Sequence, residues 1–407
     1  MKKLLLTATL SVAAVVHADM MDRPGGFKVG QRMTVRPYVS LYYTFDSNVD
    51  SSHHSDTKSG SSWSVNPGFT ADYKSDNWNV NAGAYYRYHA YSRNTSNMNQ
   101  NSFGQDLGVT WSNTKDGGKG WSLNLHESYQ YISQDDDMTN SEGRGIGRDR
   151  QQFTFSAALQ RRITERWHAS LDASYYLLDY DNDSSKYAPM YGWTRWTVGG
   201  QAGYVLSHWT DFLVSANYQG YTQDNDRHIG SSNRGDSKGW TVHAGVGTHA
   251  TERISYRLMA GWSHFEYSKS NQDSDGLTYS LAFNWKMSDT WHMMLLGSGY
   301  YHPSERESGC STRSDIISWG LAHSMIRGKL NATLDMNYRH ERHDYTRSVA
   351  ARDYDNDIVT ARVGLNYAIN RFVSAFTTAE YQTYVSHDRS SYDYDRWRLT
   401  LGMRLTY

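Results

Sequence analysis

Arg396-Trp397-Arg398-Leu399-Thr400-Leu401-Gly402-Met403-Arg404-Leu405-Thr406-Tyr407 decides how the rest of the sequence is read. From Trp397 every second residue is apolar or aromatic, and the residues between are polar, small or cationic. A period of two over this length is a β-strand with one apolar and one wet face. At about 3.3 Å per residue the strand is long enough to cross a bilayer when tilted. It ends on an aromatic residue, Tyr407, as expected of a closing strand.

Composition fits a wall of such strands. Mean hydropathy is −0.74, and after residue 18 no long apolar segment follows. A transmembrane barrel looks polar in this way because only alternate residues meet lipid. Aromatics make up 14% of the chain, with 32 Tyr and 14 Trp, which suits girdles at head-group level. Only 5 Pro occur, as paired strands require. Net charge is −1, so no nucleic-acid footprint exists. A single Cys, Cys310, excludes an intrachain disulfide framework and a multi-Cys metal site.

The N-terminus reads as a secretory signal over residues 1–18. Lys2 and Lys3 precede a short apolar run to Val16, and Val16-His17-Ala18 is a small-x-small cleavage site. The run is too short for a transmembrane anchor. Residues 19–34 are expected to form a periplasmic lead, too short for a plug, and 35–407 a single barrel domain.

A unit of two long alternating strands and a tight turn then recurs. Trp78, Trp121, Trp167, Trp209, Trp291 and Phe372 follow the turns at spacings of 43, 46, 42, 82 and 81 residues, a repeat of about 41 with two weaker copies. A propeller blade also repeats near that length, but it has four short strands, not two long ones. The fold class is all-β, a transmembrane antiparallel up-and-down barrel of about eighteen strands, within the range 16–18, the first at 35–45 and the last at 394–407. Short turns face the periplasm and longer polar loops face outward. The post-turn Trp residues form the inner girdle, and Tyr43, Tyr88, Tyr131, Tyr267 and Tyr384 the outer one.

Function is expected on the inner face. The candidate pore-lining residues are Arg36, Arg87, Asp106, Asp172, Arg195, Arg257, Lys286, Asp335, Arg339, Arg362, Glu380 and Arg398, with Arg162, Arg396, Arg404 and Asp72 on the same parity. Their cationic excess would favour anions. The alternative is that inward charges pair across strands and brace the wall, as Asp335 beside Arg362 and Glu380 beside Arg398 suggest. Inward aromatics (Tyr38, Tyr42, Tyr85, Tyr176, Tyr221, Tyr300, Phe376) are either a slide for sugar rings or space-filling. Acidic runs such as Asp135-Asp136-Asp137 and Asp353-Tyr354-Asp355-Asn356-Asp357 lack the EF-hand spacing and read as solvated loop. No catalytic residue, cofactor site or metal site is assigned, and no Ser/His/Asp grouping supports an enzyme.

The signal sequence, Tyr42-Tyr43-Thr44-Phe45-Asp46-Ser47-Asn48-Val49 after the first strand, and Arg398 to Tyr407 resemble the outer-membrane β-barrel porins of the "porin 2" type. That resemblance implies a Gram-negative outer membrane, lipid and lipopolysaccharide around the wall, and the barrel assembly machinery during biogenesis. It also implies a link with exopolysaccharide systems, so the solute is either a small polar molecule or a polysaccharide. It carries over no functional residue. A structural or adhesive barrel with ligand-binding loops is one alternative, and an outer-membrane barrel enzyme is the other.

Overall fold

The computed structural model describes residues 26–49, 57–92, 99–113, 120–135, 148–180, 192–207, 209–223, 236–248, 253–268, 273–303, 310–345, 354–387 and 393–407. The expected signal peptide and most of the acidic runs lie outside these residues. The strands are β1 Phe27–Val29, β2 Met33–Asp46, β3 Gly60–Lys74, β4 Trp78–Tyr91, β5 Gln100–Ser112, β6 Gly120–Asp135, β7 Arg148–Arg162, β8 Trp167–Tyr180, β9 Trp193–Val205, β10 Asp211–Gln223, β11 Ser237–Gly247, β12 Ile254–Tyr267, β13 Ser274–Lys286, β14 Trp291–Pro303, β15 Cys310–Met325, β16 Leu330–Tyr345, β17 Tyr354–Ala368, β18 Val373–Ser386 and β19 Tyr394–Thr406. Each strand from β2 to β19 pairs antiparallel with its sequence neighbours, and β19 closes on β2 with Arg398 opposite Asp46 and Thr406 opposite Tyr38. The wall is therefore a closed ring of eighteen strands.

The turns explain the aromatic repeat. In each, a Ser, Thr or Asn side chain accepts the backbone N–H of the aromatic that starts the next strand. The pairs are Ser75–Trp78 at 3.2 Å, Asn113–Trp121 at 2.7 Å, Thr164–Trp167 at 3.0 Å, Ser288–Trp291 at 3.1 Å and Asn370–Phe372 at 2.8 Å. Local side-chain bonds of this kind end one strand and start the next.

Two features depart from the sequence reading. The lead is not bare: β1 forms a hairpin on the start of β2, with Phe27 opposite Val35. It occupies the edge of β2 below the end of β19, where the ring of Phe27 lies 4.6 Å from that of Tyr407. The girdle also loses two members. Tyr267 has the parity of Arg257, and Tyr384 is buried and stacks on Tyr394 at 5.6 Å, so both face inward.

β14 alternates poorly in sequence because both its faces are partly apolar. Met293 and Leu295 share the outer parity. Met294 and Leu296 lie inside, with Leu296 opposite Ala282 and Met294 opposite Gly320. The backbone ladder, not side-chain alternation, keeps this strand in the ring.

A circular wall of eighteen strands, spaced ~4.8 Å and tilted ~40°, would have a backbone radius of about 18 Å. β11 and β12 meet in a close-packed glycine corner. A Cβ on Gly245 would collide with the backbone carbonyl of Leu258, and one on Gly261 with that of Val242. Only glycine permits so close an approach of two backbones.

Candidate functional site: the inner wall

The apolar parity of each strand is the lipid face. Leu41, Phe45, Val65, Val198, Val242, Leu258 and Leu401 are exposed on it. The opposite parity is polar and concave. Arg257 on β12 reaches Gln201 on β9 across two intervening strands, which only the inside of a closed wall allows.

One row crosses five strands on this inner face. Asp335 lies opposite Arg362, Arg362 opposite Glu380, Glu380 opposite Arg398, and Arg398 opposite Asp46. Charge sign alternates at every step from β16 to β2. Arg362 Nε donates to Glu380 Oε2 at 2.7 Å, Arg398 Nη1 lies 3.6 Å from Glu380 Oε1, and Arg398 Nε donates to Asp46 at 3.2 Å. Opposite charges directly across strands stabilise a sheet.

The row ends at the seam, where Asp46 is the hub. Its two oxygens also accept from Arg396 Nε at 3.0 and 2.9 Å and from Nη2 at 2.6 Å, with Arg396 only 4% exposed. The residues after Asp46 finish the clasp. Asn48 N donates to Asp46 Oδ1 at 3.0 Å, Asn48 Nδ2 to the Asp395 carbonyl at 3.2 Å, and Trp397 N to Ser47 Oγ at 2.8 Å. Asn48 is fully buried. The Phe45-Asp46-Ser47-Asn48-Val49 element thus ties the first wall strand to the last.

The first wall strand reaches one residue past the expected 35–45 and takes in Asp46. The inward arginines of β19 do not meet Arg36 across the seam. β19 ends opposite Tyr38, so Arg36 lies beyond it and pairs with Asp72 on β3. Arg404 lies over the Tyr38 ring at 3.7 Å, a cation–π contact.

The other candidates sit on the inner parity in small groups. Asp106 faces His126 at 3.6 Å. Asp172 lies in the field of Arg257. Arg339 contacts Glu341 at 3.4 Å. Arg162 Nη2 donates to the Glu165 carbonyl at 2.9 Å. Lys286 sits at the periplasmic end, 3.0 Å from Asp289, and holds that turn carboxyl below its usual pKa. Arg195 lies over Tyr176 at 5.7 Å and Trp193 at 5.8 Å, and Arg87 beside Tyr85 at 5.6 Å. Neither Arg87 nor Arg195 has a carboxylate partner among the described residues.

Inward acids beyond those expected are Asp46, Asp211 and Glu341. Asp211 is buried and lies 3.2 Å from His168. Parity pointed to Glu341, two residues past Arg339, and Asp211 sits at a strand start where boundaries slip. The cationic excess is smaller than the sequence suggested.

Five rings on the inner wall each cover a glycine on the neighbouring strand. The cross-strand partners are Tyr38–Gly68, Tyr85–Gly104, His168–Gly203, Phe265–Gly239 and Phe376–Gly402, and in each the ring occupies the space a Cβ would take. This covers the glycine and braces the ladder. Tyr176, Trp193 and Tyr221 stack at 4.5 and 5.2 Å, and Trp193 and Tyr221 are buried. Packing accounts for these rings.

Among the described residues no group of three or more His, Cys, Asp or Glu could hold a metal. Asp357, from one of the acidic runs, lies in β17 on the outer parity and accepts from Tyr338 at 2.7 Å and His340 at 2.9 Å.

The sequence matches the family described as "Putative beta-barrel porin 2" over residues 23–407. The chain belongs to this family. The fold and the family place it in the outer membrane. Solved barrels of similar architecture include the outer membrane protein OpdK of Pseudomonas aeruginosa, at 11% identity and TM-score 0.46, covering 92% of this chain and 99% of that one. The siderophore receptor PirA of Pseudomonas aeruginosa is 8% identical with TM-score 0.44, covering 92% and 80%. The FrpB iron transporter of Neisseria meningitidis is 11% identical with TM-score 0.46, covering 88% and 62%. A comparison with curated proteins found no match.

Proposed function

We propose that this porin-family barrel is a passive channel for small polar solutes, with a modest preference for anions. It reaches the outer membrane through a cleaved signal peptide at residues 1–18. The observation that carries the reading is the inner face itself. A row of charges is tied along the wall from β16 to β2 and five rings cover wall glycines, so these side chains brace the perimeter instead of bridging it. A wall of eighteen strands braced in this way encloses water. Arg87 and Arg195, two inward arginines without a described carboxylate partner, would supply the anion preference.

Rings packed on glycines and on one another give no support to a sugar slide, so small solutes are favoured over polysaccharide export. Liposome swelling tests this reading. Vesicles holding the folded barrel should swell in pentose and hexose, more slowly in disaccharide, and little in large dextran. Swelling no faster than that of empty vesicles in every sugar would refute it.

A further inference from the structure

Glu127 stands on the lipid face. The outer parity of β6 runs Trp121, Leu123, Leu125, Glu127, Tyr129, Tyr131. Glu127 is six residues above the inner-girdle Trp121 and four below Tyr131, which puts it roughly 15 Å up an apolar band ~25 Å tall. At that depth the other strands present residues such as Leu41, Val65, Val198, Val242, Leu258 and Val363, all exposed to lipid. Beside Glu127, and six residues above Trp111 on β5, is Gln105, whose Nε2 donates to Glu127 Oε1 at 3.1 Å. Among the described mid-depth lipid-facing residues this is the one pairing of a carboxylate with an amide.

Hydrocarbon cannot solvate such a pair. Ionisable groups at membrane depth persist where protein or water meets them, and charges on the lipid face of a barrel are unfavourable in proportion to depth. Among the described residues Glu127 accepts one hydrogen bond, whereas a carboxylate offers about four acceptor positions and the Gln105 amide a second N–H and a carbonyl. The border is aromatic, with Phe103 against Tyr129 and Phe153 against Tyr175, both at 6.3 Å. Interface cores are rich in such residues.

We infer that this face of β5–β7 is where a second copy of the chain docks. The choice of occupant follows from the pair's own chemistry. A patch that holds a donor and an acceptor side by side is self-complementary, so a two-fold axis through it sets the Gln105 of each copy on the Glu127 of the other. A neighbour of different chemistry has no such match built in.

The test uses the full chain in the outer membrane with its one cysteine replaced, Cys310→Ser. Leu107→Cys and Leu125→Cys flank the pair and leave it intact, and Leu258→Cys on β12 is the control. Oxidation should link two copies through position 107 or 125, with little product at 258. Adding Glu127→Leu should cut the linked fraction at least tenfold while heat-modifiable migration on gels shows the barrel still folded. No link at 107 or 125, equal linking at 258, a link to a protein of another mass, or linking unchanged by Glu127→Leu would each overturn the inference.

Discussion

Asp46→Ala is expected to be the most damaging single substitution in the wall that leaves every strand intact. It strips Arg396 of the carboxylate that takes three of its contacts, at 3.0, 2.9 and 2.6 Å, and leaves that guanidinium 4% exposed. Breaking a buried ion pair from one side costs about 3–5 kcal/mol, because the remaining charge stays buried without compensation. Arg398 and the Asn48 backbone N–H lose an acceptor as well. All of these contacts lie at the one joint formed by strands from opposite ends of the sequence. Urea unfolding in liposomes, followed by Trp fluorescence, should show the loss. Asp46→Asn should be milder, since it keeps an acceptor for Asn48. In a double-mutant cycle, Asp46→Ala with Arg396→Ala should cost less than the two singles added. A cost for Asp46→Ala within about 0.5 kcal/mol, the range of ordinary surface changes, would remove Asp46 from the seam.

Gly245→Ala and Gly261→Ala come second. At each, the added methyl would meet the backbone carbonyl of the neighbouring strand, which cannot rotate away as a side chain can. Either the β11–β12 corner opens or the ladder breaks, and overpacking of this kind costs about 1–3 kcal/mol or more. The double variant should fold in markedly lower yield. Gly83→Ala is the control: its Cβ would have 3.5 Å to the nearest atom, the Phe69 carbonyl oxygen, and it should be close to neutral. If Gly245→Ala behaves like Gly83→Ala, the corner is not required for closure.

Most of the architecture was legible because a membrane wall repeats one rule. Period-two alternation marked the strands, and an aromatic after a tight turn marked the repeat. The inner residues followed from parity, so Asp335–Arg362 and Glu380–Arg398 could be read as neighbours before the register confirmed them. Tyr384 shares parity with Glu380, and Tyr267 with Arg257, so alternation already placed both rings inside. Their height near a girdle pointed the other way, and parity was the better guide. Asp46 was harder. Its partners lie 350 and 352 residues away, and nothing local distinguishes a strand's last Asp from a loop's first. The β11–β12 corner depends on how two backbones approach, which a glycine in a sequence does not announce. The aromatic–glycine tiles need the register of both strands at once.

Single-channel recording in planar bilayers reads the proposed open, polar, weakly anion-selective lumen. Folded barrel, verified by heat-modifiable migration, should give discrete ohmic steps, with a reversal potential under a KCl gradient on the chloride side. Arg87→Gln with Arg195→Gln should keep the steps and move that potential toward zero. Folded protein that inserts and gives no steps would contradict the claim.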